Sequence, residues 1–347
     1  MNTQRTSRID ILQVIRLFAA SMIILYHTGL IGGRGYFGVQ VFFVLSGFLA
    51  YYSTIRPVSA GRYLLRRCIR LIPLYWIFTI LTFLLLTVRP GLSNMSDADP
   101  LHLLKSLLFI PYKGDAGNTL PILAVGWTMQ YEMAFTLLFT LSLLISHRRR
   151  GLVCSVLLLI LTAVGLWVKP KPLFIRYYTS SHLFNFFLGL VGGFAWKKLR
   201  DCVPEDRSVL SCLPASLRIP VRVLLSLLAA GAAVFLVLDV RFSFSLRQCF
   251  RLGIPALVMI FSLLLLMERV SFPPKLLSLC GMTYSIFLVE YFTTSVYKRL
   301  VPASAGLPLT LLSLVILFAV TFAVSVIPYQ LIEVRLTALL KKLFRAS

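Results

Sequence analysis

IDILQVIRLFAASMIILYHTGLI, residues 9–31, is an apolar run of bilayer length that carries one arginine, Arg16, and one histidine, His27. Read as a helix, it is the first membrane span. At about 1.5 Å rise and 3.6 residues per turn, Arg16 and His27 share one face and lie roughly 16 Å apart along the axis. A charged side chain inside a span costs at least ~2.5–3.5 kcal/mol on insertion scales, so it normally faces protein or a water-filled cavity. The plainer alternative is that one or both snorkel to the headgroups. If they do not, the other polar intramembrane residues are expected to converge on this helix.

Composition extends that reading to the whole chain. Only 14% of the 347 residues are charged and 58% are hydrophobic. With a mean hydropathy of +0.86, this excludes an ordinary soluble domain and points to a polytopic membrane protein. The formal charge of +23 does not imply nucleic acid, because the Lys and Arg residues cluster in short segments between apolar runs, where anionic lipid is the expected partner. The first run is too long for a signal h-region and lacks a small-x-small cleavage site, so it is read as a span rather than a leader. Six cysteines form no CxxC pair and no metal-ligand spacing with the four histidines, so neither structural disulfides nor a metal is expected.

Runs of membrane length fall at residues 9–31, 36–55, 73–88, 125–146, 152–168, 182–199, 220–238, 252–267, 276–297 and 307–332. The expected fold is all-α: one integral-membrane domain over 1–347, a polytopic bundle of about ten transmembrane helices. Basic residues concentrate on one side, among them Arg5, Arg8, Arg66, Arg67, Arg70, Arg148, Arg149, Arg150, Lys197, Lys198 and Arg345. That bias predicts cytoplasmic termini. The outward connection 89–124 holds Asp97, Asp99, Asp115 and an amphipathic patch, LHLLKSLLF, at 101–109, suited to a membrane surface.

Several polar residues are candidates for chemistry. Ser46 and Gly47 interrupt the aromatic run GVQVFFVLSGF (38–48), as a packing notch or as a functional hydroxyl. RRCIRLIPLYW (66–76) sets Arg66, Arg67 and Arg70 just before a helix whose first turn contains Pro73. Three guanidiniums suit a phosphate-bearing ligand through charge-assisted hydrogen bonds, and lipid headgroups would satisfy them equally. In GWTMQYEMAF (126–135), Thr128, Glu132 and Thr136 share a face. Glu132 falls about 10 Å below the outer surface, close to the depth of His27. A carboxylate there needs a protein partner. An imidazole and a carboxylate in reach of each other are a base and its orienter for acyl transfer, or else a polar clasp between helices. His182, Asn185 and Gly189 align on the sixth run, with Gly189 and Gly193 as a small-xxx-small contact. GMTYSIFLVEYF (281–292) adds Tyr284 and a second intramembrane acid, Glu290, and YQLIE (329–333) ends the last run on Glu333.

In order along the chain, these motifs resemble the bacterial acyltransferase family 3, integral membrane enzymes that O-acylate surface carbohydrates. The match runs through Arg16 and His27; Phe42, Phe43, Ser46, Gly47 and Phe48; Arg66, Arg67, Arg70, Pro73, Tyr75 and Trp76. Within the family, Gly126 to Met133, with Trp127, looks most like the exopolysaccharide and lipooligosaccharide acetyltransferase branch. The resemblance implies an enzyme of the bacterial inner membrane with no permanently bound cofactor. Acetyl-CoA or another acyl-CoA is the cosubstrate, and a carbohydrate, possibly lipid-linked, is the acceptor. It gives His27 and Glu132 the catalytic places and Arg16, Arg66, Arg67 and Arg70 the donor's, with Ser46, Trp127, Tyr284 and Glu290 in support. Family members commonly carry His where this chain has Glu290. The imidazole would act as general base or as acyl carrier, and sequence leaves both open. A carrier or flippase for a lipid-linked or anionic sugar, or a structural subunit of a polysaccharide assembly, is the alternative reading.

Overall fold

The computed structural model describes residues 9–89, 98–114, 117, 119–168, 172–239, 246–302 and 306–344. Arg5, Arg8, Asp97, Asp115 and Arg345 lie outside the described residues. In chain order the helices are α1 (Asp10–Thr28), α2 (Phe37–Ser53), α3 (Ala60–Val88), α4 (Pro100–Leu107), α5 (Trp127–Ile145), α6 (Arg150–Trp167), α7 (Leu173–Tyr178) and α8 (Leu183–Asp201). They continue with α9 (Ala215–Leu238), α10 (Leu246–Leu266), α11 (Pro274–Gly281), α12 (Thr283–Leu300) and α13 (Leu307–Pro328). A π-helical stretch, Tyr329–Leu336, joins α13 to α14 (Thr337–Leu343). No strand occurs among the described residues.

Seven helices among the described residues are long and apolar enough to cross a membrane, or eight if α11 and α12 form one broken span. The expected count of ten differs at identifiable places. The second run becomes α2, of only 17 residues. The ninth breaks at Met282. The sixth run carries His182 and Asn185 at its start and charges from Lys197 onward, and α8 does not meet the same measure. One boundary is corrected outright. The third helix begins at Ala60, not at Pro73, because Ser59 caps it by accepting from the Arg62 amide at 3.3 Å, satisfying a donor that the first turn would otherwise leave unpaired. Pro73 therefore lies inside a 29-residue helix, and the three arginines lie in its second and third turns instead of in a mouth before it.

The chain divides into two compact units, each discontinuous in sequence. The first takes the described parts of Met1–Ser53 and Asn185–Thr283. Here α1 packs on α2, α10 and α11, and α9 pairs with α10. Its tightest crossing sets α2 against α8. A Cβ added at Gly47 would meet the Phe186 carbonyl oxygen at 2.2 Å, and one at Gly189 would meet that of Val44 at 2.0 Å. The two small-residue positions read separately in the sequence are thus mates. Phe43 and Phe186 stack beside them, ring centroids 4.6 Å apart. Without a hydrophobic force between helices in lipid, such close approach is what generates adhesion. At the far end of the α9–α10 hairpin, Asp239 and Arg251 form an ion pair at 2.6 Å.

The second unit takes the described parts of Thr54–Phe184 and Tyr284–Ser347. In it α5 packs on α3 and α6, α4 on α3, and the π-helical stretch and α14 on α3. Gly189→Val should force α2 and α8 apart and lower stability by about 1–3 kcal/mol or more. Thermal unfolding in detergent reads this out. An unchanged midpoint would mean that the crossing is not close-packed.

Candidate active site

The second unit holds a buried ion pair between α3 and α5. Arg67 Nη1 lies 3.0 Å from Glu132 Oε1, with the two side chains 13% and 8% exposed. Arg67 also sits 5.6 Å from the centre of the Tyr63 ring, and Tyr63 packs on Phe139. About 32 Å of helix separates Arg67 from Val88, and about 20 Å separates Glu132 from Ile145. Neither charge is near those helix ends. Thr128, Glu132 and Thr136 are all buried, as their shared face requires.

Arg66 and Arg70, on the same helix, are exposed. Arg70 nonetheless lies in the field of Arg67, Glu333, Glu132 and the Tyr284 phenol. Around it, Tyr284 donates to the Leu71 carbonyl at 2.7 Å, two residues before Pro73. The Ser285 amide and hydroxyl both donate to Glu333 Oε1. Glu333 thereby caps the first turn of α12, where a carboxylate complements unpaired amides and the helix dipole. π-Helical segments recur at functional sites, and this one carries Glu333 against the α12 terminus. Glu290 is fully buried on α12.

The connection between α3 and α5 is pinned to this unit through its backbone. Asp99 caps α4, accepting from the Leu101 amide at 3.0 Å, the His102 amide at 3.1 Å and the Tyr112 hydroxyl at 2.9 Å. The Leu101 amide above all holds its carboxyl below the usual range. Tyr75 donates to the Ser106 carbonyl at 3.0 Å, Trp76 to that of Leu107 at 2.9 Å, and Tyr178 to that of Phe109. Burial pushes the Tyr178 phenol up to about 12, so it remains a donor. Phe109 has φ of 60°, a strained conformation for a bulky residue, and its ring stacks on Tyr75 at 4.9 Å. A Cβ at Gly126 would strike the Tyr75 ring at 2.6 Å, which explains the glycine before Trp127.

In the first unit, Arg16 and His27 are both half-buried on α1. The helix ends earlier than expected: Gly29 adopts φ of 79° and its amide returns to the Tyr26 carbonyl, so His27 occupies the last turn. Ser46 is buried beside Gly47 on α2.

Of the residues singled out from sequence, the structure brings together Arg67 with Glu132, and Arg70 with Tyr284. It joins Glu333, the acid that closes the last run, to Ser285, a link that spans 48 positions and leaves no local signal. The Arg67–Glu132 pair spans 65 positions and is equally silent in a one-dimensional pattern.

A family model described as an acyltransferase domain matches residues 9–330. The exopolysaccharide production protein ExoZ of Rhizobium meliloti (strain 1021) is 33% identical over 167 residues, 47% of this chain and 51% of that protein. Nodulation protein 10 of Rhizobium leguminosarum bv. viciae is 28% identical over 170 residues, 45% and 44% of the two chains. The chain thus spans about half the length of the curated relatives it matches. No solved structure matches.

Removing one member of a buried ion pair strands the other charge, at about 3–5 kcal/mol, whereas apolar replacement of both is tolerated. Arg67→Ala should therefore lower the unfolding midpoint sharply, and Arg67→Met combined with Glu132→Leu should recover most of it. A double variant no more stable than Arg67→Ala would show that the two charges are not coupled.

Proposed function

The chain belongs to the acyltransferase domain family, whose model covers residues 9–330, and on that premise we propose a membrane O-acyltransferase that moves an acyl group, acetyl in the simplest case, from acyl-CoA to a carbohydrate hydroxyl. The observation that carries the proposal is the family match over nearly the whole chain, with Arg16, His27, Arg66, Arg67 and Arg70 within it. ExoZ, by its name an exopolysaccharide production protein, supports a surface polysaccharide or its precursor as acceptor. The apolar helices support a multi-pass protein, for which we propose the bacterial inner membrane, with cytoplasmic termini.

In this reading Arg66 and Arg70 meet the donor's phosphates. Arg67 is held by Glu132, while Arg66 and Arg70 are exposed and suit bidentate phosphate contacts. Arg16 serves the donor from α1. His27 is the general base. The acceptor oxygen attacks the thioester carbonyl, a C–O bond forms and the C–S bond breaks. The hydroxyl proton passes to the imidazole and from there to the departing thiolate. Proton transfer of this kind contributes ~10²–10⁴ in rate. Glu132 contributes by fixing Arg67, and Tyr284 by holding α3 at Leu71.

Two measurements test this. Arg66→Ala with Arg70→Ala should raise the KM for acetyl-CoA at least about tenfold while the folded fraction is unchanged. Unaltered donor binding would return the cluster to lipid headgroups. His27→Ala, inserted and folded, should lose about 10² or more of glycan acylation. Substantial retained turnover would remove His27 from the mechanism.

A further inference from the structure

Glu132 lies one face of α5 away from a cluster of rings that the donor site does not use. Trp127 and Tyr131 meet edge to face at 5.9 Å. Tyr177 of α7 stacks on Tyr131 at 4.6 Å and 12°, and its hydroxyl donates to the Trp127 carbonyl at 3.0 Å. His182 packs against both Trp127 and Tyr131, at 5.3 Å from each. Tyr131 and His182 are buried, whereas Trp127 and Tyr177 are each half-open. The buried pair is a backing, and the half-open pair is a surface laid on it.

The surface is rigidly held. Gly165 of α6 approaches α7 so closely that an added Cβ would fall 1.7 Å from the Thr179 carbonyl oxygen, and Tyr178 is tied to Phe109. Gln130 stands three positions beyond Trp127 on α5 and so neighbours it along the helix. It is 1% exposed, yet both polar atoms of its carboxamide lack a hydrogen-bond partner among the described residues. An unsatisfied buried amide is costly and marks a place where a polar ligand group belongs. Along α5 the cluster is centred within about 8 Å of Glu132.

We propose that Trp127, Tyr177 and Gln130 form a subsite for a pyranose ring of the acceptor, resting on the carbohydrate acylation proposed above. A pyranose presents a face of C–H bonds, slightly positive, to the negative face of an aromatic ring, and a rim of hydroxyls that both donate and accept. The carboxamide answers that rim with two donors and an acceptor. A lipid tail would leave Gln130 unsatisfied, and a polyphosphate would call for guanidinium in place of rings. The subsite orients one sugar so that a hydroxyl is held for attack, which is the positioning share of the rate enhancement.

The test uses the full chain in nanodiscs, labelled acetyl-CoA, and oligosaccharides released from the surface glycan of a strain lacking the gene. Trp127→Ala should raise the acceptor KM about tenfold and leave the donor KM unchanged, with Trp127→Phe restoring most of the loss. Gln130→Leu, which keeps the volume and removes the polar head, should raise the acceptor KM alone. Should Trp127→Ala fail to fold, Tyr177→Ala on the short α7 serves in its place, with the same expected shift. Wild-type turnover with an unchanged acceptor KM in these variants, or a shift in donor KM instead, overturns the subsite. Oligosaccharide binding that is present in wild type without turnover, and lost in Trp127→Ala, overturns the acyl-transfer reading and sustains the subsite. Neither binding nor turnover in wild type overturns both.

Discussion

Two opposite charges held 3.0 Å apart out of water, Arg67 and Glu132, set the terms for the second unit. Each ion carries a desolvation penalty that the other helps to offset. The register of α3 against α5 is therefore fixed: a one-residue slide of either helix would rotate a charge away by about 100°. Fixing that register also places everything borne by those helices, including Arg66 and Arg70 on one and Trp127 and Gln130 on the other. The two arginines beside Arg67 on α3, Arg66 and Arg70, are the exposed ones.

The first unit solves its packing problem by removal rather than by pairing. Gly47 and Gly189 bring two backbones to within contact of each other, and the ring stack of Phe43 on Phe186 fills the flank of that crossing. α2, so anchored, is the surface on which α1 lies. The half-buried Arg16 and His27 thus ride on a helix whose own seat is among the least yielding in the unit. For a residue proposed to move a proton, a fixed helix matters more than a nearby charge, because general-base catalysis depends on geometry before it depends on basicity.

Much of this was legible in one dimension, and the limits have physical causes. The all-helical membrane character, the packing role of Gly47 and Gly189, and the shared buried face of Thr128, Glu132 and Thr136 follow from hydropathy and from periods of three and four residues. The start of α3 was misread because hydropathy weights the apolar turns after Pro73 and is blind to a cap at Ser59, although the serine was there to be seen. Contacts between distant positions carry no such trace. Nothing near Glu132 announces Arg67, and nothing near Ser285 announces Glu333. Apolar length, on which the expected count of ten spans rests, does not register the break at Met282.

The end of α4 and its exit at Phe109 are gripped through the main chain: phenol and indole donors from Tyr75, Trp76 and Tyr178 reach carbonyls at Ser106, Leu107 and Phe109. A carbonyl is the same whatever side chain its residue bears. At these three contacts the scaffold reads the path of the main chain, leaving the side chains of residues 107 and 108 free to vary. Divergent paralogues, or a library recoded at those positions, inherit a loop of unchanged course with a new surface.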